Sequence, residues 1–181
     1  MSWFPGKNAR HIDLDRSNTE KIELEHSAAR LFMRWYEFIS GRKIRHIWHN
    51  RPRKPDVSCR LEGQRLDLEI AHLYGSSQDA MRLLGRHVNL QTRKRLLEQH
   101  KFIDVDERLI DALNRILLNK SHKTYHSQCV WLIIRNTHKA WDANRIRSLQ
   151  NRILIPHVHP FEQIWMVADY QGKTGIVRLD S

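Results

Sequence analysis

The sequence predicts an α/β domain with a mixed central sheet, and three observations support this class. Segments with helical apolar spacing are interspersed with short segments that either alternate or are wholly apolar. The predicted order, α β β β α α β α β β, joins a strand meander to strands separated by helices. The 181 residues are 40% hydrophobic, enough for a substantial core. We interpret residues 1–181 as one domain.

The first half of the chain predicts one long helix and three strands. The helix is expected from Ser17 or Asn18 to Ser40, because Asn18 is a suitable N-cap and an apolar stripe follows at helical spacing. Strands are expected at 43–49, 56–61 and 65–74, the last two joined by a tight turn at Glu62-Gly63. Three consecutive strands suggest a meander packed against the helix.

The second half predicts helices at 76–100 and 104–120, a strand at 128–135, a short helix at 141–151 and a closing hairpin of 162–169 with 176–179. The run Val130-Trp-Leu-Ile-Ile134 is almost continuously apolar, which is typical of a strand that is buried on both faces.

The charge balance favours a polyanionic partner. Thirty-one Lys and Arg residues against 20 Asp and Glu give a net charge of +11, and 21 of the basic residues are arginine. Nucleic acid is the usual partner of such a chain, whereas an anionic membrane would favour a basic amphipathic helix. No apolar run is long enough to cross a membrane, the N-terminus lacks a signal-peptide pattern, and only Cys59 and Cys129 are present. We therefore expect a cytoplasmic protein.

The densest basic segment follows the first helix. No acidic residue occurs between Gly41 and Pro55, and Trp48 lies within the segment. We predict that its basic side chains contact the nucleic-acid backbone, and these are Arg42, Lys43, Arg45, Arg51, Arg53 and Lys54. A solubilising surface is the alternative interpretation.

Two carboxylates are expected to meet on the meander. Side chains alternate along the third strand, so Asp67, Glu69 and Ala71 share one face. The hairpin brings Asp56, at the start of the second strand, close to Glu69. Carboxylate oxygens are the ligands that Mg²⁺ prefers. Asp56 could instead be a simple turn residue, and Asp67 and Glu69 could lie on a solvated outer face.

The pattern Pro55-Asp56, a hairpin, then Asp67-Leu-Glu69-Ile-Ala71 resembles the signature of the PD-(D/E)xK phosphodiesterase superfamily. The order of predicted elements also resembles its restriction-endonuclease-like fold, a mixed central sheet flanked by helices. The resemblance implies that Asp56 and Glu69 bind Mg²⁺ or Mn²⁺, and that a glutamate on the leading helix completes the site. Glu25 is the candidate, although it could simply pair with Arg30 or another surface base.

One residue departs from the superfamily pattern. The motif lysine, two residues after the glutamate, would fall at Ala71, and alanine cannot orient or activate a water molecule. In some members this role moves to a neighbouring strand or to the following helix. Lys94 is the expected substitute, with Arg93, Gln91 and Lys54 as alternatives, and Lys94 could equally be an ordinary surface lysine.

The sequence therefore predicts a Mg²⁺-dependent nuclease that acts on nucleic acid, DNA in our interpretation, with Asp56, Glu69 and Lys94 as catalytic residues. Homodimerisation is common in the superfamily and stays open here. The alternative is a catalytically inactive module that keeps the nuclease-like fold and binds nucleic acid or a protein partner, which the Ala71 departure favours.

Overall fold

The computed structural model describes the backbone of residues 8–17 and all atoms of residues 18–50, 55–75 and 104–181. These residues form a mixed α/β structure, a six-stranded sheet in the order β1-β2-β3-β4-β5-β6 with helices on both faces. The elements are α1 (Asn8–Ser40), β1 (Ile44–His49), β2 (Val57–Leu61), β3 (Gln64–Leu73), α2 (Val105–Ser121), β4 (Val130–Asn136), α3 (Ala143–Ser148), a 3-10 turn (Gln150–Arg152), β5 (Gln163–Val167) and β6 (Ile176–Arg178).

The strand directions confirm the predicted mixed sheet. Strands β1, β2 and β3 form an antiparallel meander, β3, β4 and β5 run parallel, and β5 and β6 form an antiparallel pair. All seven residues of β4 are buried, as its apolar sequence predicts, because β4 lies inside the sheet with helices on both faces.

The first helix is longer than predicted. It begins at Asn8 rather than at Ser17 or Asn18, so Asn18 lies inside the helix and does not cap it. Residues 8–17 contain neither proline nor glycine, and the helix-breaking pair Pro5-Gly6 lies before them. The predicted helix at 76–100 lies outside the described residues. Among the residues that the structure describes, no helix is long and apolar enough to cross a membrane.

Each face of the sheet packs against its own helix layer. Leu66, Leu68 and Ile70 of β3 pack beneath α1, in a cluster with the buried stripe of that helix. On the opposite face, Ala71 and Leu73 pack with the apolar stripe of α2. The alternation predicted for β3 is therefore confirmed, and Glu69 lies on the face that α2 covers.

Phe32 is a central residue of the α1 layer, since it is fully buried and its ring contacts the rings of Tyr36, Trp131 and Trp165. We expect Phe32→Ala to lower the free energy of unfolding by about 3–5 kcal/mol, through lost burial and a residual cavity. Phe38 on the same helix is 78% exposed, so Phe38→Ala should change it by less than about 0.5 kcal/mol. Urea unfolding measures both, and equal losses would contradict this packing.

Candidate metal-binding site

The candidate site forms where the pairing between β2 and β3 ends. The last pair is Val57 with Leu68, so one more step in the register places Asp56 opposite Glu69. Beyond this point Ile70 has no partner on β2. Its N–H donates to Asp56 Oδ2 at 2.9 Å, and its carbonyl accepts a hydrogen bond from Lys120 Nζ at 3.2 Å. Asp56 and Lys120 thus satisfy backbone groups that a strand would otherwise pair.

Glu69 is a buried carboxylate held by two ammonium groups. It is 2% exposed, and its Oε1 accepts hydrogen bonds from Lys120 at 2.6 Å and from Lys123 at 3.0 Å. Burial alone would raise the pKa of Glu69, but the two lysines outweigh it and lower the pKa below its ordinary value. Glu69 is therefore ionised at neutral pH, and Oε2 is the oxygen left for a further cation.

Glu25 reaches the site from α1. It is 4% exposed and lies 3.4 Å from Lys21 Nζ and 3.7 Å from His49 Nδ1. Burial, and then the negative charge of Asp56, raise the pKa of Glu25 to about 7. Burial and the charge of Glu69 likewise raise the pKa of Asp56. Glu25 and Asp56 are therefore the two carboxylates whose burial and mutual repulsion the nearby lysines do not fully offset.

Glu25 Oε2 is a buried oxygen that lacks a hydrogen-bond partner among the described residues. The Tyr125 hydroxyl lies beside Glu69, and burial, then the charge of Glu69 and hydrogen bonding to its carboxylate, raise the pKa of Tyr125 above its ordinary value. Buried polar atoms normally find a partner, so Glu25 Oε2 is suited to a bound cation or water. The oxygen-rich donor set of Glu25, Asp56 and Glu69 is the chemistry that Mg²⁺ or Mn²⁺ takes.

The predicted carboxylates are therefore brought together. The alternative of a solvated face fails for Asp67 and Glu69, since both are 2% exposed. Glu25 pairs with the exposed Lys21, as the alternative of a surface-base partner predicts, although Glu25 itself is buried. Across the described ranges, no three His, Cys, Asp or Glu side chains are already arranged as a metal cage.

Lys94, predicted to replace the motif lysine, lies outside the described residues, as do the alternatives Arg93, Gln91 and Lys54. Ala71 is packed in the core beside α2. The ammonium groups observed at Glu69 belong instead to Lys120, in the last turn of α2, and to Lys123, just after it.

Lys120 was missed although the sequence contains a signal for it. The apolar stripe of α2 includes Leu113 and Leu117, and Lys120 continues this stripe at helical spacing. A lysine that extends a core-facing stripe needs a buried anion. The partner could not be identified from the sequence, because the distance between α2 and β3 depends on the parallel pairing of β3 with β4.

The basic segment is only partly available to a ligand. Arg45 forms an ion pair with Glu37 of α1, and Arg42 donates a hydrogen bond to the Tyr36 hydroxyl at 3.4 Å. Lys43 is exposed. The other predicted contacts, Arg51, Arg53 and Lys54, lie outside the described residues.

Comparison of the chain with protein-family models, with curated proteins and with solved structures finds no match.

The raised pKa of Glu25 makes stability depend on pH. The folded protein keeps a proton on Glu25 that the unfolded chain releases, so the free energy of unfolding falls as the pH rises from 4.5 towards about 7. Glu25→Gln removes this dependence. As the pH rises from about 5 to about 8, the free energy of unfolding of this variant should increase by about 2–3 kcal/mol relative to that of the wild type. Urea unfolding at each pH measures this difference.

The matched control is Glu23→Gln, at an exposed position of the same helix, which should follow the wild-type profile. Wild-type and Glu25→Gln curves that stay parallel across this range would show that Glu25 is not buried among other carboxylates.

Proposed function

We propose that the chain is a Mg²⁺-dependent nuclease, with DNA as the expected substrate and a fold related to the PD-(D/E)xK superfamily. The observation that carries the proposal is the ammonium group of Lys120, 2.6 Å from Glu69 Oε1. Lys120 lies on α2 and supplies the positive charge that the motif lysine would supply, a position that Ala71 occupies in this chain. Asp56 directly precedes Val57, whose partner in the strand register is Leu68, the neighbour of Glu69.

Each residue has a role that follows from its environment. Asp56 and Glu69 would hold the divalent ion, and Glu25 would complete its ligands from α1. The bound ion would polarise the phosphoryl group and lower the pKa of a water molecule. Lys120 holds Glu69 in place, and its ammonium group can orient a water or neutralise charge that develops on the phosphate. The net charge of +11 would attract the phosphodiester backbone.

The alternative is an inactive module that binds nucleic acid or a protein. The buried Ala71 favours it, and so do the two lysines that already neutralise Glu69 without a metal. The two functions differ in what they predict for metal binding and for cleavage.

Cleavage of plasmid DNA, single-stranded DNA and RNA, with Mg²⁺, Mn²⁺ or chelator, tests the proposal. We expect metal-dependent cutting that Asp56→Asn abolishes, because asparagine keeps an oxygen for the Ile70 N–H but loses the charge that binds the ion. Lys120→Met should lower the rate about 100-fold or more. Lys139→Met, at an exposed lysine, is the control for lost charge and should cut normally.

Uncut substrates from a folded wild-type protein would contradict the nuclease and leave the binding module. Cutting that is unchanged in Asp56→Asn would place the reaction elsewhere in the chain.

Metal binding can be measured without cleavage. At about 100 times its dissociation constant, Mg²⁺ or Mn²⁺ should raise the free energy of unfolding of the wild type by about 2.7 kcal/mol. Glu69→Gln should lose this stabilisation because it removes a negatively charged ligand. Glu107→Gln, at a half-exposed position of α2, should keep it. If the wild type is indifferent to both metals, the inactive module is the better account.

A further inference from the structure

We infer that the sheet face carrying Asp56 and Glu69 continues into a binding site for single-stranded nucleic acid, with an unpaired base seated in the cavity beside Asp67. This inference rests on the proposed function, since it names the substrate form and the surface that would present a strand to the carboxylates. Apart from Trp48, its residues lie outside the Arg42–Lys54 segment.

The strand register places the site in successive rows on one face. Arg60 of β2 lies opposite Arg65 of β3, and the next pair on this face is Ser58 with Asp67. The following pair, by continuation, is Asp56 with Glu69. Rows on one face are two residues apart, so the arginine row lies about 13 Å from the carboxylate row. The arginines are exposed whereas Asp67 and Glu69 are buried, so a bound strand would contact the arginine row and approach the carboxylate row at the partly exposed Asp56.

The arginine row is suited to phosphate. Like charges directly opposite in a sheet are destabilising, and a bound anion would relieve the repulsion between Arg60 and Arg65. Both residues are exposed. Arg65 pairs with Asp67 at 3.0 Å, whereas no described carboxylate forms an ion pair with Arg60, which hydrogen-bonds only the Gly63 carbonyl in its own turn. Arg60 therefore has an unneutralised charge.

An aromatic side chain flanks the neighbouring row of Ser58 and Asp67. Trp48 of β1 lies opposite Ser58 and is partly exposed, and the guanidinium of Arg65 lies 5.8 Å from the centre of its ring. An indole beside a guanidinium is a surface on which an unstacked base can lie.

A cavity of about 460 Å³ opens on this face beside Asp67. Its described lining consists of Arg65, Asp67, His126, Ser127, Gln128 and Cys129. The volume is typical of small-molecule sites, and the lining combines a carboxylate, an amide, an imidazole and a hydroxyl. Such a mixture of donors and acceptors matches the hydrogen-bonding edge of a base better than a phosphate alone, which would favour only donors.

The cavity is the reason to expect an unpaired strand. Within a duplex the bases are stacked and paired, so a base could enter the cavity only after paying the cost of unstacking and unpairing. A single strand presents its bases without this cost. We therefore expect single strands to bind more tightly than duplexes of the same sequence.

Fluorescence anisotropy with a short labelled DNA strand and its duplex, both in chelator, tests the inference without any cleavage. Arg60→Glu should weaken single-strand binding about tenfold. The slope of the logarithm of the binding constant against the logarithm of the salt concentration should become shallower by about 0.7, because one phosphate contact is removed. Arg147→Glu, at an exposed arginine of α3 whose described side-chain partner is Asn144, makes the same charge change and should stay within about twofold of the wild type. Gln128→Trp should fill the cavity and remove the preference for single strands.

Equal weakening by Arg60→Glu and Arg147→Glu would overturn the inference, because it would show attraction to overall charge alone. Duplex binding as tight as single-strand binding, or a preference that Gln128→Trp leaves intact, would overturn the base site. If the expected binding differences are seen but no substrate is cleaved, this inference stands and the proposed nuclease activity is contradicted. If cleavage depends on Asp56 but single-strand binding does not depend on Arg60, only this inference is contradicted.

Discussion

A carboxylate buried inside a β-sheet must be balanced by positive charge, and the candidate site is organised around this requirement. Glu69 is almost fully buried on the central part of β3, where an unpaired ion would cost several kcal/mol. Lys120 and Lys123 supply the balancing charge. Because Lys120 also binds the carbonyl of Ile70, one side chain neutralises the glutamate and completes the hydrogen bonding of the strand beside it.

The end of β2 determines which groups can meet there. Since β2 stops pairing at Val57, the edge of β3 beyond Leu68 is open to side chains rather than to another strand. Asp56 binds the Ile70 N–H at this edge, and Glu25 approaches from the α1 layer, close enough for the charge of Asp56 to raise its pKa. Four elements thus contribute to one site, and the pKa values of two of its carboxylates, Glu25 and Asp56, are raised. A divalent cation beside them would offset their mutual repulsion, which connects the electrostatics to the proposed chemistry.

Local patterns in the sequence were sufficient for the strands and for the meeting of Asp56 with Glu69, because alternation and a tight turn fix the register of a hairpin. They were insufficient for the start of α1, where the capping preference of Asn18 did not stop a helix whose preceding residues also favour it. Lys120 required knowledge of how α2 lies against β3, which depends on parallel pairing between strands distant in sequence. The position of Tyr125 beside Glu69 depends on the same packing.

The central claim is that Asp56 and Glu69 bind a divalent cation beside Lys120. The most direct measurement is anomalous diffraction from crystals grown or soaked with Mn²⁺, which locates the ion without reference to activity. The account predicts an anomalous peak between the two carboxylates, with oxygen ligands at about 2.1 Å, and Lys120 still within hydrogen-bond distance of the site. Crystals without such a peak, in which Lys120 and Lys123 alone neutralise Glu69, would contradict it.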